Sequence, residues 1–264
     1  MAWNKEIWLK RFKQAFIFSF WIGMVTALFL SLSFTNKEAE KLVCKQVDIT
    51  IKNAEEQALV NREMILESAS GVTSDSVFKG KLLTGLNTMS IENRINQNML
   101  IKQADVFTDL NGILHIEVEQ RVPILHVINL FGDHFYIDKD GLKMPCSPIY
   151  TAHVPVATGI ISESYDNKDS VQTFILKGLI KIATYVDKDA FWKAQIEQIF
   201  VSNEAELVLV PKFGNHTILF GKVDDMEIKF EKLLVFYREA LNRLGWNKYK
   251  VIDIRFNNQV VAKK

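Results

Sequence analysis

Apolar and polar positions alternate most cleanly near the middle of the chain. In the run ILHIEVEQR, Leu114, Ile116 and Val118 point one way while His115, Glu117, Glu119 and Arg121 point the other, the two-residue period of a strand. The preceding IKQADVF sets Ala104 and Val106 against Asp105, and Asn111-Gly112 between the two runs signals a hairpin. A two-residue loop would pair Phe107 with Ile116 and Asp105 with Val118, putting apolar against polar. A three-residue loop, Leu110-Asn111-Gly112, pairs Val106 with Ile116 and Ala104 with Val118, and places Gly112 where a left-handed residue is needed. The sequence therefore predicts the three-residue loop.

The segments before the hairpin supply something to bury against its apolar face. VCKQVDITI (Val43–Ile51) reads as a strand, and NREMILESA (Asn61–Ala69) puts Ile65 and Leu66 at helical spacing among polar residues. A second helix is expected from Ser90, with Ile91, Ile95 and Met99 repeating every four residues. Strand, helix, helix, strand, strand makes a small sheet with two helices on one face. After Val127 come short strands around a turn at Lys139-Asp140-Gly141, then HVPVATGI. A helical stripe follows, formed by Val171, Phe174, Ile175, Leu179, Ile182 and Val186. Strands at Ile196–Ser202, Glu206–Pro211 and GNHTILFG lead to the clearest helix, whose Met226, Phe230, Leu233, Tyr237, Ala240, Leu241 and Leu244 share a face. The last strand carries Val251, Ile252 and Ile254, then a kink or turn at Asn257-Asn258, then Val260 and Val261. The fold class is α+β, with the second domain a mixed α/β unit dominated by an antiparallel sheet.

The N-terminus breaks this pattern. AFIFSFWIGMVTALFLSLSF, residues 15–34, has no charged residue and is long enough for one transmembrane helix. Lys5, Lys10, Arg11 and Lys13 against Glu6 keep residues 1–14 cytoplasmic and send the rest across the bilayer. The apolar stretch exceeds a signal-peptide core and lacks a good cleavage site, so an uncleaved anchor in the lipid bilayer is expected. The expected domains are then 43–127 and 128–264. The remaining composition is that of a globular protein, 48% hydrophobic and 24% charged with a net charge of +1, which gives no basic footprint for nucleic acid.

Catalytic and metal-binding patterns are missing. The five histidines, His115, His126, His134, His153 and His216, lack ligand spacing, and no Cys-x-x-Cys, Gly-x-Ser-x-Gly or phosphate-binding loop occurs. His115, Glu117 and Glu119 share a strand face, which reads more simply as a solvated face than as a cation site. Cys44 and Cys146 fall in different expected domains and have no histidine nearby in sequence. No enzyme, cofactor or metal is expected.

A lone N-terminal anchor followed by strand–helix–helix–strand–strand resembles the POTRA domain of the bacterial division proteins FtsQ, also called DivIB. The Glu119-Gln-Arg-Val-Pro123 ending, the Asp-x-x-Gly turn, and the terminal Asp253-Ile254-Arg255-Phe256 fit that family. Its usual later Gly is replaced here by Asn258-Gln259. The resemblance implies a POTRA-like β-α-α-β-β domain and a non-enzymatic scaffold of the divisome at the septum. Its partners would be small single-span coiled-coil proteins like FtsB (DivIC) and FtsL, with other divisome proteins. Through them it would help control septal peptidoglycan synthesis from the bacterial inner membrane. Partner binding by strand addition is expected at Ile254, Arg255, Phe256, Asn257, Asn258 and Val260. The competing readings are a POTRA-type factor in outer-membrane protein assembly or secretion, which the short second half argues against, and an anchored enzyme without a recognisable motif.

Overall fold

The computed structural model describes residues 16–28, 41–55, 57–165 and 170–264. Of the expected anchor, residues 16–28 are helical with exposed side chains, while 15 and 29–34 lie outside the described residues, as do 1–14. No helix among the described residues is long and apolar enough to cross a membrane.

The first domain opens with β1 (Gln46–Lys52), then α1 (Arg62–Ser70) and α2 (Thr88–Ile95), and closes with the hairpin β2 (Ile101–Thr108) and β3 (Ile113–Gln120). β3 is central, parallel to β1 and antiparallel to β2. The hairpin has the expected register, Val106 opposite Ile116 and Ala104 opposite Val118, with Gly112 at φ +90°. Asp109 fastens its loop by accepting the amides of Asn111 and Ile113. Leu114, Ile116 and Val118 are buried against Ile65, Leu66, Ile91 and Ile95 of the helices. α2 begins earlier than expected, because Asn87 rather than Ser90 caps it: the Asn87 side chain accepts the Ser90 amide at 2.9 Å.

The second domain is one nine-stranded sheet in the order β12-β11-β10-β9-β8-β7-β4-β5-β6. Its strands are β4 (Pro123–Ile128), β5 (His134–Asp138), β6 (Lys143–Pro145), β7 (Val156–Gly159), β8 (Ile196–Val201), β9 (Leu207–Pro211), β10 (Thr217–Gly221), β11 (Val251–Asp253) and β12 (Val261–Lys263). Three of its eight junctions, β4–β7, β7–β8 and β10–β11, are parallel, so the sheet is mixed, with antiparallel pairs in the majority. β4 belongs to this sheet and does not end the first domain at Val127. Its Ile124, Leu125 and Val127 are all buried, as expected of an interior strand covered on both faces.

Helices α3 (Phe174–Lys188), α4 (Ala190–Gln195) and α5 (Met226–Phe236) cover the sheet; α5 runs on through a π turn at Tyr237–Leu241 into Asn242–Leu244. Thr173 caps α3, so Phe174 lies in the first turn and is 87% exposed; Leu176, Leu179, Ile182, Ala183 and Val186 make the buried stripe. The short α4 went unread in the sequence.

The first domain's core extends onto the sheet of the second. Alternate residues of β5 serve different cores: Phe135 and Ile137 pack in the second domain, while Tyr136, with Met144, packs with the first. Arg121 Nη1 meets Asp138 Oδ2 at 2.7 Å with both side chains largely buried, and Ser147 Oγ donates to the Leu59 carbonyl at 2.6 Å. Gln120 accepts the Leu59 amide at 3.0 Å and donates to the carbonyls of Asn53 and Gln57.

Two outcomes follow. Arg121→Met strands the Asp138 carboxylate in the buried joint and is expected to cost about 3 kcal/mol in urea unfolding. Glu163 sits almost fully buried, and burial alone would raise its pKa. Hydrogen bonds from the Thr173 hydroxyl and the Gln172 and Thr173 amides, with Lys143 at 3.0 Å, outweigh burial and hold it at about 2. Because the folded value lies below the unfolded one, this contribution is complete above the ordinary carboxylate range and is lost as pH falls from about 4.5 towards 2. Urea midpoints measured across that window should fall in the native chain and fall less steeply in Glu163→Gln.

Candidate functional site

The chain ends at a sheet edge. β11 runs parallel to β10 and antiparallel to β12, with Asp253 opposite Val261, Ile252 opposite Ala262 and Val251 opposite Lys263. Among the described residues β12 has no neighbour on its other side, which leaves its outer backbone donors and acceptors without a sheet partner there. The residues expected to form the binding strand lie mostly in the connection between β11 and β12, and they play different parts.

Ile254 is fully buried and donates its amide to the Leu219 carbonyl at 3.1 Å, so it is core. Arg255 grips the Asp253 carboxylate through Nε (2.9 Å) and Nη2 (2.7 Å) and reaches Glu206 through Nη1 at 2.8 Å. That grip draws the Asp253 pKa below the ordinary range and raises that of Arg255. Gly221, at φ +75°, makes room for it: a Cβ there would lie 2.9 Å from Arg255 Cγ. Arg255 therefore braces the connection, its charge already matched. Phe256 is 46% exposed, Asn257 and Asn258 are exposed, and Val260 is half-buried against the core.

Lys232 on α5 holds the turn closed. Its Nζ donates to the carbonyls of Ile254 (3.2 Å), Phe256 (2.5 Å) and Asn257 (3.4 Å). Burial, with Lys229 close by, lowers its pKa. Nothing in the local sequence announces this contact, which spans more than twenty residues.

Beside the turn, α5 presents a second apolar stripe. Phe230, Leu233, Tyr237 and Leu241 face the core, whereas Ile228 (53% exposed) and Val235 (54%) stand two turns apart on the outside. With Phe236, Val260 and the Asn258-Gln259 backbone they line a groove of about 450 Å³, with Glu231 and Glu239 also in its wall. The π turn widens the helix directly after this stripe, a distortion frequent at functional sites. A period-seven apolar pair left over from the core stripe was the sequence signal for the groove.

Of the other singled-out residues, Cys146, His126 and His134 meet: Cys146 Sγ lies 3.8 Å from His126 Nε2, and the His126 and His134 rings are 5.7 Å apart. His115 lies 3.5 Å from both Asp48 and Asp109 and stacks on Phe107, while Glu117 pairs with Lys52 at 2.8 Å, giving a solvated, ion-paired strand face. Cys44 is buried and Cys146 exposed, and both are free thiols.

Lys232→Met should loosen the turn and β12 at a cost of about 1–3 kcal/mol, read as faster amide exchange in Val260–Lys263 and a lower unfolding midpoint. Unchanged exchange there would contradict the bracing role of Lys232.

A family model described as FtsQ/DivIB, C-terminal related, matches residues 122–263, and one described as a POTRA-like domain matches residues 42–119. The break between the matches falls at Gln120-Arg121, where the two sheets meet. The chain is also 25% identical over 194 residues to the cell division protein FtsQ of Rhodothermus marinus (strain ATCC 43812 / DSM 4252 / R-10), covering 72% of this chain and 70% of that protein. With more than half of its length matched by one family model and its first domain by the POTRA-like one, the chain belongs to the FtsQ/DivIB family.

Proposed function

We propose that this protein is a non-enzymatic scaffold of the bacterial divisome, anchored in the inner membrane by residues 15–34 with its N-terminus cytoplasmic and its two domains outside. It acts at the septum by docking small single-span coiled-coil proteins of the FtsB/DivIC and FtsL kinds, and through them helps control septal peptidoglycan synthesis. Family membership and the relative named as a cell division protein support the division role.

The observation that carries the docking reading is the pairing of an open strand edge with an outward apolar groove. β12 offers main-chain hydrogen bonds to an incoming strand, and the groove along Ile228, Val235 and Phe236 suits the apolar side of a helix continuing from that strand. Phe256, exposed between them, is the aromatic anchor. Arg255 contributes by setting the turn, since Asp253 and Glu206 already occupy its guanidinium. Glu231 in the groove favours a basic flank on the partner, Glu239 being paired with Arg243 at 3.1 Å, and Lys263 and Lys264 at the strand end favour an acidic one. Two apolar elements confined to one bilayer meet at high effective concentration, so an interface this small suffices.

Phe256→Ala and Val235→Asp, each in the full chain and each checked for folding by circular dichroism, test this reading by recovery of partners from solubilised membranes. Loss of a central aromatic anchor is expected to weaken retention of small coiled-coil division proteins by roughly thirtyfold, and the buried charge by more. Folded variants that retain those proteins at the native level would refute the docking site.

A further inference from the structure

Three segments meet at the end of the first domain where the chain enters it. The Lys45 amide donates to the Gly112 carbonyl at 2.7 Å, tying the entering strand to the hairpin tip. On its other side Cys44 exchanges bonds with Gly80 and Lys81 at 2.8 Å each, and the Leu83 amide donates to Leu42 at 2.8 Å. Residues 42–45 thus lie between the hairpin tip and the turn that ends at Leu83, bonded to both.

The side chains displayed there are apolar and exposed. Leu110 at the tip is 79% exposed where polar turn residues are the norm, and Leu82 (49%) and Val43 (37%), paired across an antiparallel bridge, are part-exposed too. Around them Lys41, Lys45, Lys79 and Lys81 are all exposed. The nearby carboxylates are committed: Asp75 pairs with Lys79 at 3.0 Å and Arg62 at 3.2 Å, and Asp109 accepts the amides of its own turn. In the connecting stretch, Lys37 against Glu38 and Glu40 leaves the balance of this end positive.

Resting on the anchor reading above, chain length sets where this end can be. Phe34 and Lys41 are seven residues apart, so Lys41 is at most about 25 Å from the end of the anchor. From the hairpin tip, β3 carries the chain away over eight residues, about 27 Å, to Gln120 and the joint with the second domain.

We propose that this end of the first domain is a lipid-contact surface for the anionic bilayer that holds the anchor. Leu110, Leu82 and Val43 enter the headgroup region, and Lys41, Lys45 and Lys81 face lipid phosphates. Short apolar insertions and a lysine cluster are each weak alone, but the anchor supplies the proximity that makes them sufficient. The consequence is a fixed tilt: the first domain stands on its hairpin tip and holds the β12 edge away from the membrane.

The test uses the full chain in lipid vesicles, in a Cys146→Ser background because Cys44 is buried and Cys146 is the exposed thiol. An environment-sensitive fluorophore is attached singly through Leu110→Cys, Gly23→Cys or Phe131→Cys, and quenched by lipids carrying nitroxides near the headgroup or deep in the chains. With phosphatidylglycerol present, position 110 should be quenched by the shallow nitroxide and position 131, on an exposed turn of the second domain, should not. Lys45→Gln with Lys81→Gln should reduce the quenching at 110 several-fold, as should vesicles of phosphatidylcholine alone. Deep quenching at position 23 without quenching at 110 overturns the lipid-contact surface and leaves the anchor standing. Absence of deep quenching at 23 overturns the anchor reading and this inference with it. Quenching at 110 that is indifferent to both phosphatidylglycerol and the lysines overturns the role given to charge.

Discussion

The buried contact between Arg121 and Asp138 joins everything else in this molecule. It sits where β3 of the first sheet hands the chain to β4 of the second, with Gln120 clamping the Asn53–Leu59 loop one residue earlier. A guanidinium and a carboxylate taken out of water together are tolerable only while both remain paired, so the joint strongly resists any hinge that would separate them. Asp138 adds the amides of Asp140 and Leu142, which ties the same carboxylate to the β5–β6 turn. Tyr136 and Met144 then extend the first domain's core across the joint. A buried ion pair and side chains of the second sheet reaching into the first domain's core both oppose separation of the two domains at this joint.

From that joint the sheet runs six strands across, from β4 to β12, or roughly 29 Å at ordinary strand spacing. The proposed docking feature lies at the far end and is an edge beside a groove. Its architecture separates two tasks. Asp253, Arg255, Glu206 and Lys232 spend their charge on one another or on turn carbonyls, so they fix the geometry of the β11–β12 connection. Phe256, Ile228 and Val235 remain exposed and have no structural use. A surface held rigid by satisfied charges and finished with unsatisfied apolar groups and backbone is suited to recognising another chain, because the incoming segment supplies the missing partners and little of the host must be ordered.

Much of the first domain was legible because its sheet buries one face: a register slip would have exposed Leu114, Ile116 and Val118, so the alternation alone selected the three-residue loop. Helix starts were less legible. Asn87 and Ser90 are both good caps, and only the fold decides between them, while Phe174 fits the α3 stripe by spacing yet falls in the solvent-exposed first turn. Pro123 reads as a stop signal, but it begins a strand whose preceding residues turn between sheets. At the candidate site the residues expected to act together are divided by the fold among different parts. Ile254, Arg255, Phe256, Asn257, Asn258 and Val260 read as one binding strand, whereas Ile254 is core, Arg255 is a brace, and the edge strand is Val261–Lys263. The three carbonyl contacts of Lys232 and the π turn at Tyr237 arise from tertiary packing and leave no local trace.

Where a partner contacts this protein decides between docking at the β12 edge and docking elsewhere. The most direct measurement is amide hydrogen exchange along the full chain in membrane mimics, with and without a small FtsB/DivIC-like coiled-coil protein. Slowed exchange confined to Val261–Lys263 and to the outward face of α5, with β1 and β2 unchanged, is the predicted result. Protection appearing on the edges of the first sheet while β12 exchanges as freely as before would place docking on the first domain and contradict the account.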